Sequence, residues 1–284
     1  MEWLDRMNQA MDELERNLTQ KTDIEALARA AACSSYHFQR MFSYIAGIPL
    51  SEYIRRRRMS LAALELQKGE KVLDTALRWG YDSPTAFNRA FQSIHGITPS
   101  AAQKPGARCK AYPRISFQIT IKGEAEMNYR IEKKPAFRIV GVKKTFEADV
   151  EKMMRAVPVF WQQNGPANVP VLCGLMEENP AVPGILGVTT CQTDTKEWAY
   201  YIAAATEKEA PQGMEAYTVP AFTWAVFEGG GEMPAAMQTL QKRIVAEWLP
   251  TSGYEYEDGP DIEAYLNDGP QNARFEIWVP VRKK

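Results

Sequence analysis

The 284-residue sequence predicts a multidomain chain of two fold classes: an all-α tandem helix-turn-helix domain over residues 1–110, then an α+β domain of two β-α-β-β repeats over residues 111–284. Three observations carry this. A stretch with helical spacing, SSYHFQRMFSYIAG at 34–47, returns 49 residues later as TAFNRAFQSIHG at 85–96. After a linker bearing two prolines and a glycine, KPGARCKAYP at 104–113, the apolar period switches from 3.6 to 2. Beyond it, PAFRIVGV at 135–142 is echoed by PAFTWAVF at 220–227.

Residues 3–18 place Leu4, Met7, Met11, Leu14 and Leu18 on one stripe, a helix that packs against the first motif. Thr22 with Glu25 predicts a capping box for a helix over 24–31. Ser34 is the expected N-cap of the next helix, whose inner face is Phe38, Met41, Phe42 and Ile45. Tyr36, Gln39, Arg40 and Ser43 share the spacing on the outer face. In the second copy Phe87, Phe91 and Ile94 repeat the inner face and Thr85, Asn88, Arg89 and Gln92 the outer one, after a helix near 72–79 and a turn at 80–82. The stretch 50–69 between the copies predicts a connecting helix capped at Ser51, with Met59, Ala62, Ala63 and Leu66 inward. Such a helix is roughly 30 Å long. That is close to the ~34 Å of one duplex turn, so the two outer faces can enter successive major grooves. Each of the four arginines at 55–58 fits a solvated surface as well as a phosphate contact.

ISFQITIK at 115–122 alternates strictly and predicts a half-buried strand opening the second domain. There each repeat reads as a strand, a helix ending near a tryptophan (149–163 with Trp161; 234–248 with Trp248) and two more strands. These strands are expected at 171–177 and 197–205, and at 261–266 and 274–281. The result is an antiparallel sheet with helices packed on it and a cleft on the pseudo-twofold. Glu263 lies between Ile262 and Tyr265 in one short apolar strand, with Glu177 expected at the equivalent place in the first half. Tyr200 and Tyr201 sit on one final strand and Trp278 on the other. A carboxylate among rings suits a cation, by charge and by cation–π contact. A structural glutamate within a core fits the same pattern.

Residues 24–110 hold 13 Lys and Arg against 6 Asp and Glu, whereas residues 127–284 hold 16 against 21. A basic domain joined to a mildly acidic one points to a polyanion partner for the first alone. The four cysteines form no CxxC, and His37 and His95 each fall within a motif helix, so neither a metal nor a cofactor is expected. A charged amphipathic start and the lack of an 18-residue apolar run predict a cytoplasmic protein without a membrane partner.

SSYHFQRMF, YIRRRRM, AALEL and ALRWGYDSPTAFNRAFQSIHGITP over about residues 3–103 resemble the AraC/XylS family of transcription regulators. By position, the resemblance assigns base reading to Ser35, Tyr36, Gln39 and Arg40 in the first motif and to Thr85, Asn88 and Arg89 in the second. After Pro99 the chain reads Ser-Ala-Ala-Gln where that family has a tyrosine and an arginine, which implies a changed phosphate contact. MNYRIEKKPAFRIVGV, YTVPAFTWAVFEG, EWLPTSGYEYEDGPDIEAYL and FEIWVPV over about 114–282 resemble the gyrase-inhibitor-like effector domain. That resemblance implies a ligand-binding glutamate at Glu263, with aromatic partners at Trp278 and, beside it, Tyr201, Trp161 and Trp224. The expected function is a non-enzymatic regulator of duplex DNA modulated by a small hydrophobic or cationic effector, with RNA polymerase as a further partner. Two alternatives stay open. Glu263 with Tyr201 would be the acid–base pair of a small-molecule hydrolase, or the second domain would be a protein-interaction module without a ligand.

Overall fold

A computed structural model describes all residues except 1–2, 119–125, 147–148, 193–196, 268 and 270, and nothing is described of the side chains of 191, 192 and 197. The chain divides into two compact units, 1–118 and 119–284.

The first unit is helical: α1 (Trp3–Arg16), α2 (Ile24–Ala30), α3 (Ser35–Ala46), α4 (Leu50–Gln67), α5 (Val72–Arg78), α6 (Pro84–His95) and the short α7 (Pro99–Ala102). Ser34 and Ser83 cap α3 and α6 through the amides of His37 and Ala86. Gly47 and Gly96 end the same helices at φ 70° and 75°, where a side chain is strained. Phe38, Phe42, Phe87 and Phe91 are fully buried, so the repeated apolar faces are the repeated core. The turns repeat as well. Ala32 and Gly80 are both left-handed, and each is followed by a residue whose amide reaches back to the preceding helix, Cys33 to Ala28 and Tyr81 to Ala76. Two expected caps move: Asp23, not Thr22, caps α2, and α4 starts at Leu50 after Pro49, ahead of Ser51. Asp23 is one residue nearer the helix and its carboxylate accepts from the Ala26 amide at 3.0 Å.

The four arginines of α4 split. Arg57 forms a two-pronged pair with Glu15 of α1, and Arg58 donates to the carbonyls of Leu18 and Gln20 that follow it. Arg55 and Arg56 both pair with Glu52.

The expected strand at 115–122 is not formed over 115–118, and its remainder lies outside the described residues. Residues 110–118 instead form an irregular strap on the helices. Its amides bond to side chains, not to a strand: Lys110 to His95 Nδ1, Tyr112 to Ser60 Oγ, Ile115 to the Tyr53 hydroxyl and Phe117 to Asn8 Oδ1. Asn8 also donates to the Phe117 carbonyl, and the Phe117 ring meets Phe42 edge-on at 6.1 Å. Phe117 is buried. The expected division at 110/111 thus falls within the strap, and the helical unit runs to 118.

The second unit is an antiparallel sheet with helices on one face. Its strands are β1 (Tyr129–Lys134), β2 (Phe137–Phe146), β3 (Ile185–Gln192), β4 (Glu197–Ala205), β5 (Glu215–Val219), β6 (Phe222–Gly231), β7 (Tyr254–Tyr256), β8 (Asp261–Tyr265) and β9 (Ala273–Lys283). The order is β1-β6-β9-β8-β3-β4-β2-β5, with β7 pairing the end of β9. α8 (Val150–Leu175) follows β2. α9 (Ala235–Arg243), continued by a π-helical turn at Ile244–Trp248, follows β6.

The two halves are β1-β2-α8-β3-β4 and β5-β6-α9-β8-β9, and their registers correspond. Ile139 lies opposite Ala205 and Tyr217 as Trp224 lies opposite Pro280 and Glu132. Gly187 lies opposite Ile202 as Glu263 lies opposite Ile277, and Gly187 and Glu263 face each other. The pseudo-twofold therefore passes through the Gly187–Glu263 pair.

Two sequence expectations are corrected. The strand expected at 171–177 is the last turn of α8 and the chain after it, because a short apolar run fits either state and here continues the helix past Pro166 and Pro170. Glu177 is consequently not the counterpart of Glu263. It follows α8 and accepts from the Glu207 amide and the Thr206 hydroxyl, bonds that hold its carboxyl below the usual range.

Candidate functional sites

The outer faces of α3 and α6 differ in exposure. Thr85 and Arg89 on α6 are exposed and Asn88 is half-buried. On α3, Ser35, Gln39 and Arg40 are half-buried, while Tyr36 is 2% exposed. Tyr36 therefore cannot present its ring to bases. Its ring belongs to the core and its hydroxyl accepts from Arg40 Nη1 at 2.6 Å. Tyr44, which the sequence reading passed over, accepts from Arg40 Nε at 2.8 Å. The guanidinium lies over both rings, 5.6 and 5.4 Å from their centroids. Tyrosines four residues before and after Arg40 thus fix its direction. Gln39 donates to the Ser35 carbonyl at 3.2 Å. Neither histidine is a surface group. His37 bonds the Ser34 hydroxyl at the cap, and His95 is buried on Phe91 with its Nε2 on the Met59 carbonyl.

In the sheet domain, strand pairing sets which side chains share a face. Glu263 shares the helix-bearing face with Ile277, Ile202 and Tyr200, and Tyr265 follows two residues on. Glu263 Oε2 accepts from the Tyr265 hydroxyl at 2.9 Å, and Oε1 from Gln241 Nε2 of α9 at 2.8 Å. Trp161 of α8 donates to the Tyr200 hydroxyl at 2.7 Å and sets its ring edge-on to Tyr265 at 5.2 Å. A Cβ on Gly187 would lie 2.1 Å from the Tyr200 oxygen and 3.3 Å from Glu263 Oε2, so this cluster exists only over a glycine. Burial, with the Glu263 carboxylate and Tyr200 beside it, pushes the Tyr265 hydroxyl well above the ordinary tyrosine value. The arrangement is one carboxylate held by an amide and a phenol, flanked by an indole and a second phenol. Glu263, Tyr265 and Trp161 remain partly exposed.

Of the aromatic partners expected for Glu263, only Trp161 joins this cluster. Trp278, Trp224 and Tyr201 lie on the opposite face with Ile262 and Val188. Trp224 is fully buried, 6.0 Å from Trp278. Trp278 donates to Glu276 at 2.8 Å and already carries Arg130 and Lys134 over its ring. Tyr201 lies under Lys143, and the hydrolytic pair Glu263–Tyr201 is not assembled. Tyr200 and Tyr201 are neighbours in a strand, so one faces each way. The spacing Glu263–Tyr265 was the available signal for the right face. Gln241 and Gly187 left no comparable signal.

Among the described residues no group of three or more metal-ligating side chains converges, and no helix is long and apolar enough to cross a membrane.

The fold is that of a DNA-binding regulator with a small-molecule domain. The helix-turn-helix domain family matches residues 27–104 and the GyrI-like small molecule binding domain family matches residues 127–282. The chain belongs to the GyrI-like family, and its first domain is of the AraC type. It is similar to the right origin-binding protein of Escherichia coli K12, 26% identical over 95% of this chain and 96% of that one. The transcriptional activator AarP of Providencia stuartii is 42% identical over 88 residues, covering 31% of this chain and 65% of that one. A solved protein bound to tetraphenylphosphonium is 23% identical, covering 55% of this chain and 94% of that one with a TM-score of 0.48.

Proposed function

We propose that residues 1–118 read duplex DNA through α3 and α6, and that residues 119–284 take a small effector at Glu263. The effector then modulates transcription without being turned over. The observation that carries the effector site is a single half-buried carboxylate on the pseudo-twofold, on the helix-bearing face, with aromatic groups beside it. A buried charge costs free energy unless paired, and an organic cation supplies both the pairing and the apolar surface that the rings cover. The DNA faces narrow to Ser35, Gln39, Arg40, Thr85, Asn88 and Arg89, all with some exposure. Contact with RNA polymerase and a cytoplasmic location rest on the regulator class alone.

Calorimetric titration of the full chain with tetraphenylphosphonium tests the site. Glu263→Gln keeps the shape and removes the charge, so the cation should bind at least about tenfold more weakly, the equivalent of ~1.4 kcal/mol. A neutral ligand of similar size should be little affected. Unchanged cation binding makes Glu263 structural. The hydroxyl of Tyr265 on Glu263 is the feature that favours a hydrolytic reading, and turnover of an electrophilic probe by purified protein would replace the regulator reading with it.

A further inference from the structure

Both oxygens of the Glu263 carboxylate accept hydrogen bonds from within the chain, and one of the donors comes from a helix. Gln241 lies in the last turns of α9, is buried, and directs its amide N–H at Oε1 from 2.8 Å. Tyr265 holds Oε2 from within the same strand. The two contacts are not alike. Tyr265 reaches Glu263 from the same face of the same strand, two residues on, and its ring is packed edge-on against Trp161, so a ligand meets it as part of the site's wall. Gln241 reaches the carboxylate across the layer between helix and sheet. Its side chain has three rotatable bonds and can withdraw without moving the strand.

We infer that Gln241 is a specificity-determining residue of this site, a built-in occupant of Glu263 Oε1 that a cationic ligand must displace. The inference rests on the reading of Glu263 as the ligand carboxylate and adds which ligands it admits. A weakly polar cation gains less from the carboxylate than its charge suggests, because it must first free an oxygen held by a charge-assisted hydrogen bond. A neutral aromatic ligand leaves the Gln241–Glu263 bond intact and is spared that cost. Gln241 thereby narrows the preference for cations that a bare carboxylate would show. A ligand that carries its own N–H donor can take over the position of the amide, and so is favoured over a cation without one.

The test is Gln241→Met in the full chain, since methionine matches glutamine in length and cannot donate. Titrations with tetraphenylphosphonium and with neutral triphenylphosphine oxide give two dissociation constants for each variant. Removing the occupant should tighten the cation about tenfold, from the ~1.5 kcal/mol of a hydrogen bond to a charged group. The neutral probe should move less than about twofold. The unliganded melting temperature should fall, because Oε1 loses the Gln241 hydrogen bond, and saturating cation should restore more of it than in the parent. A lower melting temperature with an unchanged ratio of the two constants makes Gln241 structural and overturns the inference. Cation binding weakened by Glu263→Gln yet indifferent to Gln241→Met overturns the inference alone. If the parent binds neither probe, or Glu263→Gln binds the cation like the parent, the reading of the site falls with it.

Discussion

The strap at 110–118 makes a quantitative demand on the helical unit. Phe117 is buried against Phe42 of α3, and its backbone N–H and C=O are both held by the Asn8 side chain. Removing the strap ends that ring contact and returns the half-buried Asn8 amide to water, and the other side chains keep partners. Tyr53 keeps Glu15, Ser60 keeps the Arg56 carbonyl, and Arg57 keeps Glu15 after losing the Tyr112 carbonyl. The dominant loss is therefore the phenyl burial, about 1.5–3 kcal/mol. At ~4–8 °C per kcal/mol for a domain of this size, a fragment of residues 1–118 should melt about 10 °C above one ending at Lys110. Phe117→Ala within 1–118 should recover most of that difference. Circular dichroism melts of the three proteins measure it. Equal melting of 1–110 and 1–118 would refute the reasoning and return the strap to the status of a linker.

Arg89→Ala should cost about 1–3 kcal/mol on a cognate site and relax preference at one base step, whereas equal losses on cognate and random DNA would reduce it to a phosphate contact. Tyr44→Phe removes one acceptor from Arg40 and should weaken cognate binding by a smaller ~0.5–1.5 kcal/mol, read by fluorescence anisotropy at fixed salt. Gly187→Ala should displace the Tyr200 hydroxyl from Trp161, cost about 1–3 kcal/mol of stability and abolish effector binding with DNA affinity unchanged. His95 is pushed below its ordinary 6.5 by burial, and its Nδ1 accepts from the Lys110 amide, so protonation is favoured in the unfolded chain. Its contribution is complete above 6.5 and is lost as pH falls through the lower folded value; the melting curve of His95→Gln should be flatter with pH between 7.5 and 5.

The helical half was legible because each motif repeats a helical spacing, with a serine cap at Ser34 and a glycine turn at Gly80, and those signals are local; the cap at Ser83 and the left-handed Ala32 emerge only in the structure. The strap was not. Ile115 and Phe117 alternate as a strand does, yet the amides of Ile115 and Phe117 found tyrosine and asparagine side chains, a choice that only tertiary packing makes. Glu263 was legible as an acid in an apolar strand, but its surroundings were not. A pair such as Tyr200–Tyr201 places one ring on each face, and register alone decides which faces the helices. The helix expected over 149–163 stops short of Pro166 and Pro170, whereas α8 runs on through both to Leu175. Gln241 is an unremarked polar residue on a helix until the helix is docked.

The exchange of first strands ties the two halves into one sheet. β1, which begins the first half, lies beside β6 of the second, and β5 lies beside β2 of the first. A single half would leave that strand without its neighbour and could close only with another copy of itself, across an isologous contact. In such a pair the residue on the axis meets its own duplicate. Two glutamates there would repel and share a proton, and two glycines would offer no charge. Joining the copies in one chain removes that symmetry. The axis can then carry one acid, Glu263, against one glycine, Gly187, whose vacant side-chain space admits the Tyr200 hydroxyl. A lone negative charge at the centre of a duplicated sheet is something a true twofold could not have supplied.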